Sequence, residues 1–240
     1  MSSRTKARSK VYENAIEALE GLTSGMTVMS GGFGLCGIPE NSIDAIFAMP
    51  VEGLTVVSNN IGNSGRGLVK LLQNRQIKNA ICTYVGGNPD LEKQMLAGEV
   101  KVELVPQGTF SERIRAAGLG IRAFFTPTGA GTMVAEGKEV RMFDKPCILE
   151  LPLNADFAII KAQRGDTYGN LWFQESARNF SPLMAMAAKI TVVEVEELVP
   201  LGEIRPEDVH LPGIFVQRIY QGKNYRNDIE ILIDIPKDSK

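Results

Sequence analysis

The densest chemical signal in the chain is Gly31-Gly32-Phe33-Gly34-Leu35-Cys36-Gly37-Ile38-Pro39-Glu40-Asn41, between an apolar run and an amphipathic one. Four glycines within seven residues remove Cβ atoms that would hold a ligand off the backbone, and they permit positive φ. Open N–H groups followed by a helix N-terminus suit an anionic or phosphorylated ligand. A tight strand-to-helix turn with no ligand fits the same composition. Gly32, Gly34 and Gly37 spell GxGxxG, but the next apolar run ends in Ser58-Asn59-Asn60 with no acidic residue, and no Gly-Lys-Ser/Thr follows. A nucleotide fingerprint is therefore a poor match. Asn59 and the Gln107 of Pro106-Gln107-Gly108-Thr109 add neutral amide donors, which stabilise a developing oxyanion without competing as base or nucleophile. Capping of turns and helices is the plain alternative for both.

Weaker signals complete the set. Cys36 lies in the glycine segment with no adjacent base or cation to activate it. Phe125-Thr-Pro-Thr-Gly-Ala-Gly-Thr132 is a second glycine and hydroxyl cluster, a loop over the same sheet edge or a subunit contact, with a plain connection as the default reading. In Ser176-Ala-Arg-Asn-Phe180, the planar fork of Arg178 could anchor a carboxylate, with an ordinary ion pair as the simpler role. His210 is the only histidine, so no two-His metal site is expected and hydrolase triads depend on one residue that lacks a catalytic neighbour. Cys36, Cys82 and Cys147 form no CxxC pair and no disulfide framework, which points to a reducing, cytoplasmic compartment. The formal charge of -2 offers no cationic excess for a nucleic-acid backbone. No stretch of eighteen apolar residues occurs, so no membrane span is expected.

These groups must be carried by a frame, and hydrophobic periodicity describes it. A helix over Val11–Leu22, a strand over Met26–Ser30 and a helix over Ser42–Ala48 are followed by a strand at Leu54–Ser58. The alternation goes on with helices at Leu68–Asn74, Asp90–Ala97 and Phe110–Ala117, separated by strands at Ala80–Val85 and Val100–Val105. Strands separated by helices form right-handed crossovers and hence a mainly parallel sheet. The second half reads differently: a hairpin of Glu139–Phe143 with Cys147–Leu151, a strand Phe157–Ala162, a turn at Arg164-Gly165-Asp166, a strand near Leu171–Phe173, a helix Leu183–Lys189 and a strand Ile190–Val195. The expected fold is α/β, an open and mainly parallel twisted sheet with helices on both faces and some antiparallel strands in the second half. Residues 1–10, with Arg4, Lys6, Arg8 and Lys10, read as a flexible basic tail, and 11–240 as one domain.

The glycine segment, taken with Leu54-Thr-Val-Val-Ser-Asn-Asn60, Val105-Pro-Gln-Gly-Thr109, Glu112-Arg-Ile-Arg-Ala-Ala-Gly118, Thr126-Pro-Thr-Gly129, Ser176-Ala-Arg-Asn-Phe180 and Val193-Glu-Val-Glu-Glu197, resembles the A subunit of class I CoA-transferases. The succinyl-CoA:3-ketoacid branch is the nearer one, and the 3-oxoadipate branch shares most of the motifs. The resemblance covers Val11 to Tyr225. It implies CoA transfer between succinyl-CoA and a 3-oxoacid such as acetoacetate, a reaction of ketone-body metabolism, with CoA and acyl-CoA as substrates and no permanently bound cofactor or metal. It implies further that the attacking glutamate sits in a Ser-Glu-Asn-Gly context on a partner B subunit, since this chain has no such tetrapeptide, and that the assembly is A2B2. Gly31, Gly32, Phe33, Gly34, Leu35, Cys36 and Gly37 would meet CoA or the acyl group, and Asn59 and Gln107 would serve the oxyanion. Gly87 and Arg122 depart from the family pattern, where Glu and Pro are usual. A module that binds a phosphorylated ligand is the reading from a different class.

Overall fold

The computed structural model describes residues 9–63 and 65–225; Arg4, Lys6 and Arg8 of the expected basic tail lie outside them. After α1 (Ala15–Ala18), the chain alternates β1 (Thr27–Ser30), α2 (Glu40–Ala48), β2 (Leu54–Val57), α3 (Val69–Gln73), β3 (Ile77–Cys82), α4 (Pro89–Leu96), β4 (Lys101–Leu104) and α5 (Gln107–Leu119). Then come β5 (Phe124–Thr126), β6 (Val140–Met142), β7 (Pro146–Glu150), β8 (Ala155–Asp166), β9 (Leu171–Trp172), α6 (Ser181–Ala187), β10 (Ala188–Val199) and β11 (Arg218–Gln221). The main sheet runs β11-β10-β8-β1-β2-β3-β4, every neighbouring pair parallel, with β9 antiparallel on β8. A small antiparallel sheet, β5-β7-β6, contains the expected hairpin.

Both faces of the main sheet are covered, because consecutive residues on a strand point to opposite sides. Val28, Val56, Ile159 and Val192 pack with Ile43, Ile46, Leu72 and Leu91 of α2, α3 and α4. Their neighbours Met29, Val57, Ile160 and Val193 pack with Phe110 and Ile114 of α5 and Met184 and Ala185 of α6. Strand order decides where a ligand can sit. From β1 the chain builds outward through β2, β3 and β4, then returns to lay β8 on the other side of β1. The carboxyl end of β1, beside β8, is therefore the topological switch point, where open α/β sheets leave a crevice.

Four local expectations shift. The helix expected over Val11–Leu22 shortens to α1, since Tyr12 N–H bonds Ile219 O (2.8 Å) and Ile219 N–H bonds Lys10 O (2.8 Å), tying that segment to β11. β3 starts at Ile77 rather than Ala80. The Arg164–Asp166 turn lies inside β8; the chain reverses just after it, where Asp166 Oδ1 accepts the N–H groups of Tyr168 and Asn170, both at 2.9 Å. β5 and β11 are additional, both short and flanked by loop residues that mask a strand pattern.

Candidate functional site

The glycine segment leaves β1 at the switch point. Gly31 N–H still pairs with Ile159 O of β8 (3.0 Å), and then the chain makes a tight reversal in which Phe33 and Cys36 exchange N–H···O bonds, both 3.0 Å. Gly34 takes φ +61° at the tip, with open space where a Cβ would be. Facing this loop is the 3-10 turn Glu175–Arg178 and the residues after it. Asn179 Oδ1 accepts Gly32 N–H (3.0 Å), while its Nδ2 donates to the carbonyls of Cys36 (3.3 Å) and Ala177 (2.9 Å). Cys36 Sγ lies 3.6 Å from Ser176 Oγ.

The glycines are thus largely required by contact within the chain. A Cβ on Gly37 would stand 2.4 Å from Ala177 O, and one on Gly32 would run into Ile38. Nor is the α2 N-terminus open to an anion: Glu194 of β10 accepts the N–H groups of Asn41 (3.3 Å) and Ser42 (2.7 Å). The sequence expectation of an anion at that terminus is corrected, because a carboxylate of the chain itself already holds it.

The other loops at the same sheet edge are stitched to this one. Ser58 Oγ donates to Ser30 O (2.9 Å), and buried Asn59 donates through Nδ2 to Thr83 Oγ1 (2.7 Å), joining the ends of β2 and β3. Glu40 accepts from Gly67 N–H (3.1 Å) and pairs with Lys70 (3.0 Å). Asn88 caps α4 through Leu91 N–H (3.0 Å) and donates to the carbonyls of Ile61 and Gly62. Gly87 lies on this rim, its Cβ position 3.7 Å from Asn63 Nδ2.

Gln107 opens α5 at the end of the edge strand β4, its side chain exposed. Three strand spacings, about 14 Å, separate that end from β1. An aromatic chain spans the gap: Phe33 stacks on Phe180 (6.4 Å between centroids), and Phe180 meets the edge of Phe110 (5.5 Å). Gln107 precedes Phe110 by three positions and so shares its helix face. Asn179, Phe180 and Glu194 are site residues that the sequence does not single out; in the 176–180 segment Arg178 is the evident candidate by charge, but Asn179 makes the contacts. Arg178 has no ion-pair partner among the described residues and acts electrostatically on His210. His210 is structural: its Nδ1 accepts Phe173 N–H (3.0 Å) and its ring lies against Trp172 and Phe173, with burial and Arg178 lowering its pKa. Arg122 is exposed, away from these contacts. Among the described residues there is no cluster of His, Cys, Asp and Glu able to hold a metal, and no helix long and apolar enough to cross a membrane.

The family model described as coenzyme A transferase matches residues 12–222. The A subunit of a succinyl-CoA:3-ketoacid coenzyme A transferase from Helicobacter pylori strain J99 is 54% identical over 222 residues, 92% of this chain and 96% of the relative. The A subunit of a 3-oxoadipate CoA-transferase from Pseudomonas putida is 48% identical over 213 residues, 88% of this chain and 92% of the relative. Among solved structures, an acyl-CoA transferase from E. coli O157:H7, in a thioester complex with CoA, superposes with a TM-score of 0.82 over 91% of this chain at 21% identity. The present chain spans about half the length of that one (50%), and the likeness establishes the fold.

Proposed function

The chain belongs to the coenzyme A transferase family, and on that premise we propose that it is the A subunit of a two-subunit enzyme moving CoA between succinyl-CoA and a 3-oxoacid such as acetoacetate. The H. pylori relative, similar along nearly all of both chains, supports this acceptor class, and the P. putida relative makes 3-oxoadipate the alternative acceptor. One observation carries the reading. At the switch point amides, hydroxyls and aromatic edges surround the glycine loop, whose Gly31, Gly32, Phe33 and Cys36 N–H groups are taken up within the chain, while the buried carboxylate beside them, Glu194, is held by donors on both oxygens. A site so furnished stabilises charge on an acyl group, while its buried Glu194 carboxylate is engaged as a helix cap instead of standing free to attack.

In this proposal the attacking glutamate comes from a B subunit, in an A2B2 assembly located in the cytoplasm. Glu attack on the thioester carbonyl expels CoA thiolate and leaves a mixed anhydride; the thiolate then attacks the enzyme-side carbonyl, releasing the first acid and leaving a glutamyl-CoA thioester. The acceptor carboxylate repeats both steps in reverse and departs with CoA. Gly31 to Gly37 would border the acyl-CoA, with the open tip at Gly34 and the half-exposed Phe33 facing it. Asn59 and Gln107 would donate to the oxyanion, Gln107 with its full amide and Asn59 with the N–H not given to Thr83. The phosphorylated-ligand reading loses its seat, since Glu194 occupies the α2 N-terminus.

The test is CoA transfer by the co-expressed chains of both types against a panel that includes acetoacetate and 3-oxoadipate. The isolated chain is expected to show no turnover and addition of its B partner to restore it. Turnover by the isolated chain, abolished by Glu175→Gln at the rim, would overturn the shared site.

A further inference from the structure

A buried polar cluster lies directly beneath the start of α2, and the transfer chemistry proposed above makes no use of it. Glu194 is 0% exposed on β10. Its Oε2 accepts Ser42 N–H (2.7 Å), Ser42 O–H (2.9 Å) and Tyr220 O–H of β11 (2.9 Å), and its Oε1 accepts Asn41 N–H (3.3 Å). The two hydroxyls also lie 2.7 Å from each other. Lys161 of β8, directly across the ladder from Glu194 and 5% exposed, pairs with Glu196 (2.8 Å), and its ammonium stands 4.8 Å from the Tyr225 ring centroid. Pro39, at the N-cap of α2, supplies no side-chain bond, and Glu40 turns the other way to Gly67 and Lys70. The first turn of the helix that continues the glycine loop is therefore fastened by a residue more than 150 positions later.

We propose that Glu194 is a positioning residue: its carboxylate anchors Asn41 and Ser42 and thereby holds Gly31–Gly37 in register against Ser176–Phe180. The mechanical path is short. Ser42 is five residues from Gly37, and Ile38 and Pro39 between them are buried, so a displaced α2 start carries the loop with it. This inference rests on the reading of the loop as the border of the acyl-CoA site.

The groups facing Glu194 are Asn41 and Ser42 from α2, Lys161 from β8, Glu196 from its own strand, and Tyr220 with Tyr225 from β11 and the segment beyond it. Burial raises the Glu194 carboxyl to about 6 despite the donors around it. Above that pH both oxygens accept. As pH falls through it, a proton occupies one oxygen and a donor must turn away, so the anchor weakens on the acid side.

The experiment uses the full chain assembled with its B partner and two variants, Glu194→Gln and the nearly isosteric Tyr220→Phe. Glu194→Gln presents an N–H₂ where an acceptor is needed; kcat/KM for the thioester is expected to fall between about tenfold and a hundredfold, as for a small misplacement of reacting groups. The acid limb of the activity profile near pH 6 should flatten. Tyr220→Phe removes one donor from the carboxylate and should move that limb to higher pH. Amide hydrogen exchange should quicken over residues 32–42 in Glu194→Gln and stay unchanged in β1 and β8. Wild-type kcat/KM together with an unmoved acid limb and unchanged exchange would overturn the proposal. A wild-type complex without CoA transfer would instead refute the functional reading, and the exchange pattern would then decide on Glu194.

Discussion

Gly37→Ala is expected to be markedly more destabilising than Gly34→Ala, although both residues sit in the same loop with nearly the same backbone, φ +67° and +61°. Adding a Cβ in the left-handed region costs about 1–2 kcal/mol at either position. Gly34 has nothing within 4 Å of that new atom, so its cost ends there. At Gly37 the Cβ would lie 2.4 Å from Ala177 O, 2.9 Å from Asn179 Nδ2 and 3.1 Å from Ala177 C. A backbone carbonyl cannot swing aside as a side chain does, so overpacking adds about 1–3 kcal/mol. For a chain of this size 1 kcal/mol moves the melting temperature by about 2–4 °C. Gly34→Ala should thus melt roughly 2–8 °C below wild type, and Gly37→Ala a further 2–12 °C below that. Thermal melts of the three proteins at equal concentration make the comparison. A Gly37→Ala variant that melts at or above Gly34→Ala would show that the glycine loop and the 176–179 turn are not in this contact, and the account of the site would fail with it.

Gln107→Ala should leave the melting temperature in place, because the side chain is exposed, and should cost up to roughly 2.7–4 kcal/mol of transition-state stabilisation in the assembled enzyme. An unchanged rate removes Gln107 from the mechanism. Lys161→Met takes the ammonium from half-buried Glu196, which keeps the Gln163 amide (3.0 Å), and should destabilise the chain by about 1–3 kcal/mol in denaturant titration, with Lys161→Met plus Glu196→Gln recovering part of the loss. Glu194 binds its proton at about 6 when folded, against an ordinary carboxyl value of 4.5. The folded chain thus holds a proton that the unfolded chain releases, so this group's contribution to stability rises as pH falls from above 6 toward 4.5. The gap is worth about 2 kcal/mol, absent in Glu194→Gln, and it opposes the loss of activity expected over the same range. Melts of both proteins across that range would show the difference.

The alternation of β-branched runs with amphipathic stretches already determined the parallel sheet, the hairpin and the place of the glycine loop after its strand, because each of these follows from local periodicity and backbone freedom within some ten residues. The resemblance of the glycine, Ser176–Phe180 and Val193–Glu197 segments to one family pointed to the chemistry as well. What those segments do to one another was not legible. Val11–Leu22 has helical spacing, yet its first residues pair with β11. Gly37 reads as room for a ligand, yet the room is filled by Ala177 O and Asn179. Glu194 stands in the sequence only as part of the Val193–Glu197 segment, yet it is the buried cap of α2. Only the tertiary structure decided these points, because each depends on the order of the strands in the sheet and on which face a residue falls. Strand pairing of that kind joins groups more than a hundred residues apart through packing and hydrogen bonds that no local pattern encodes.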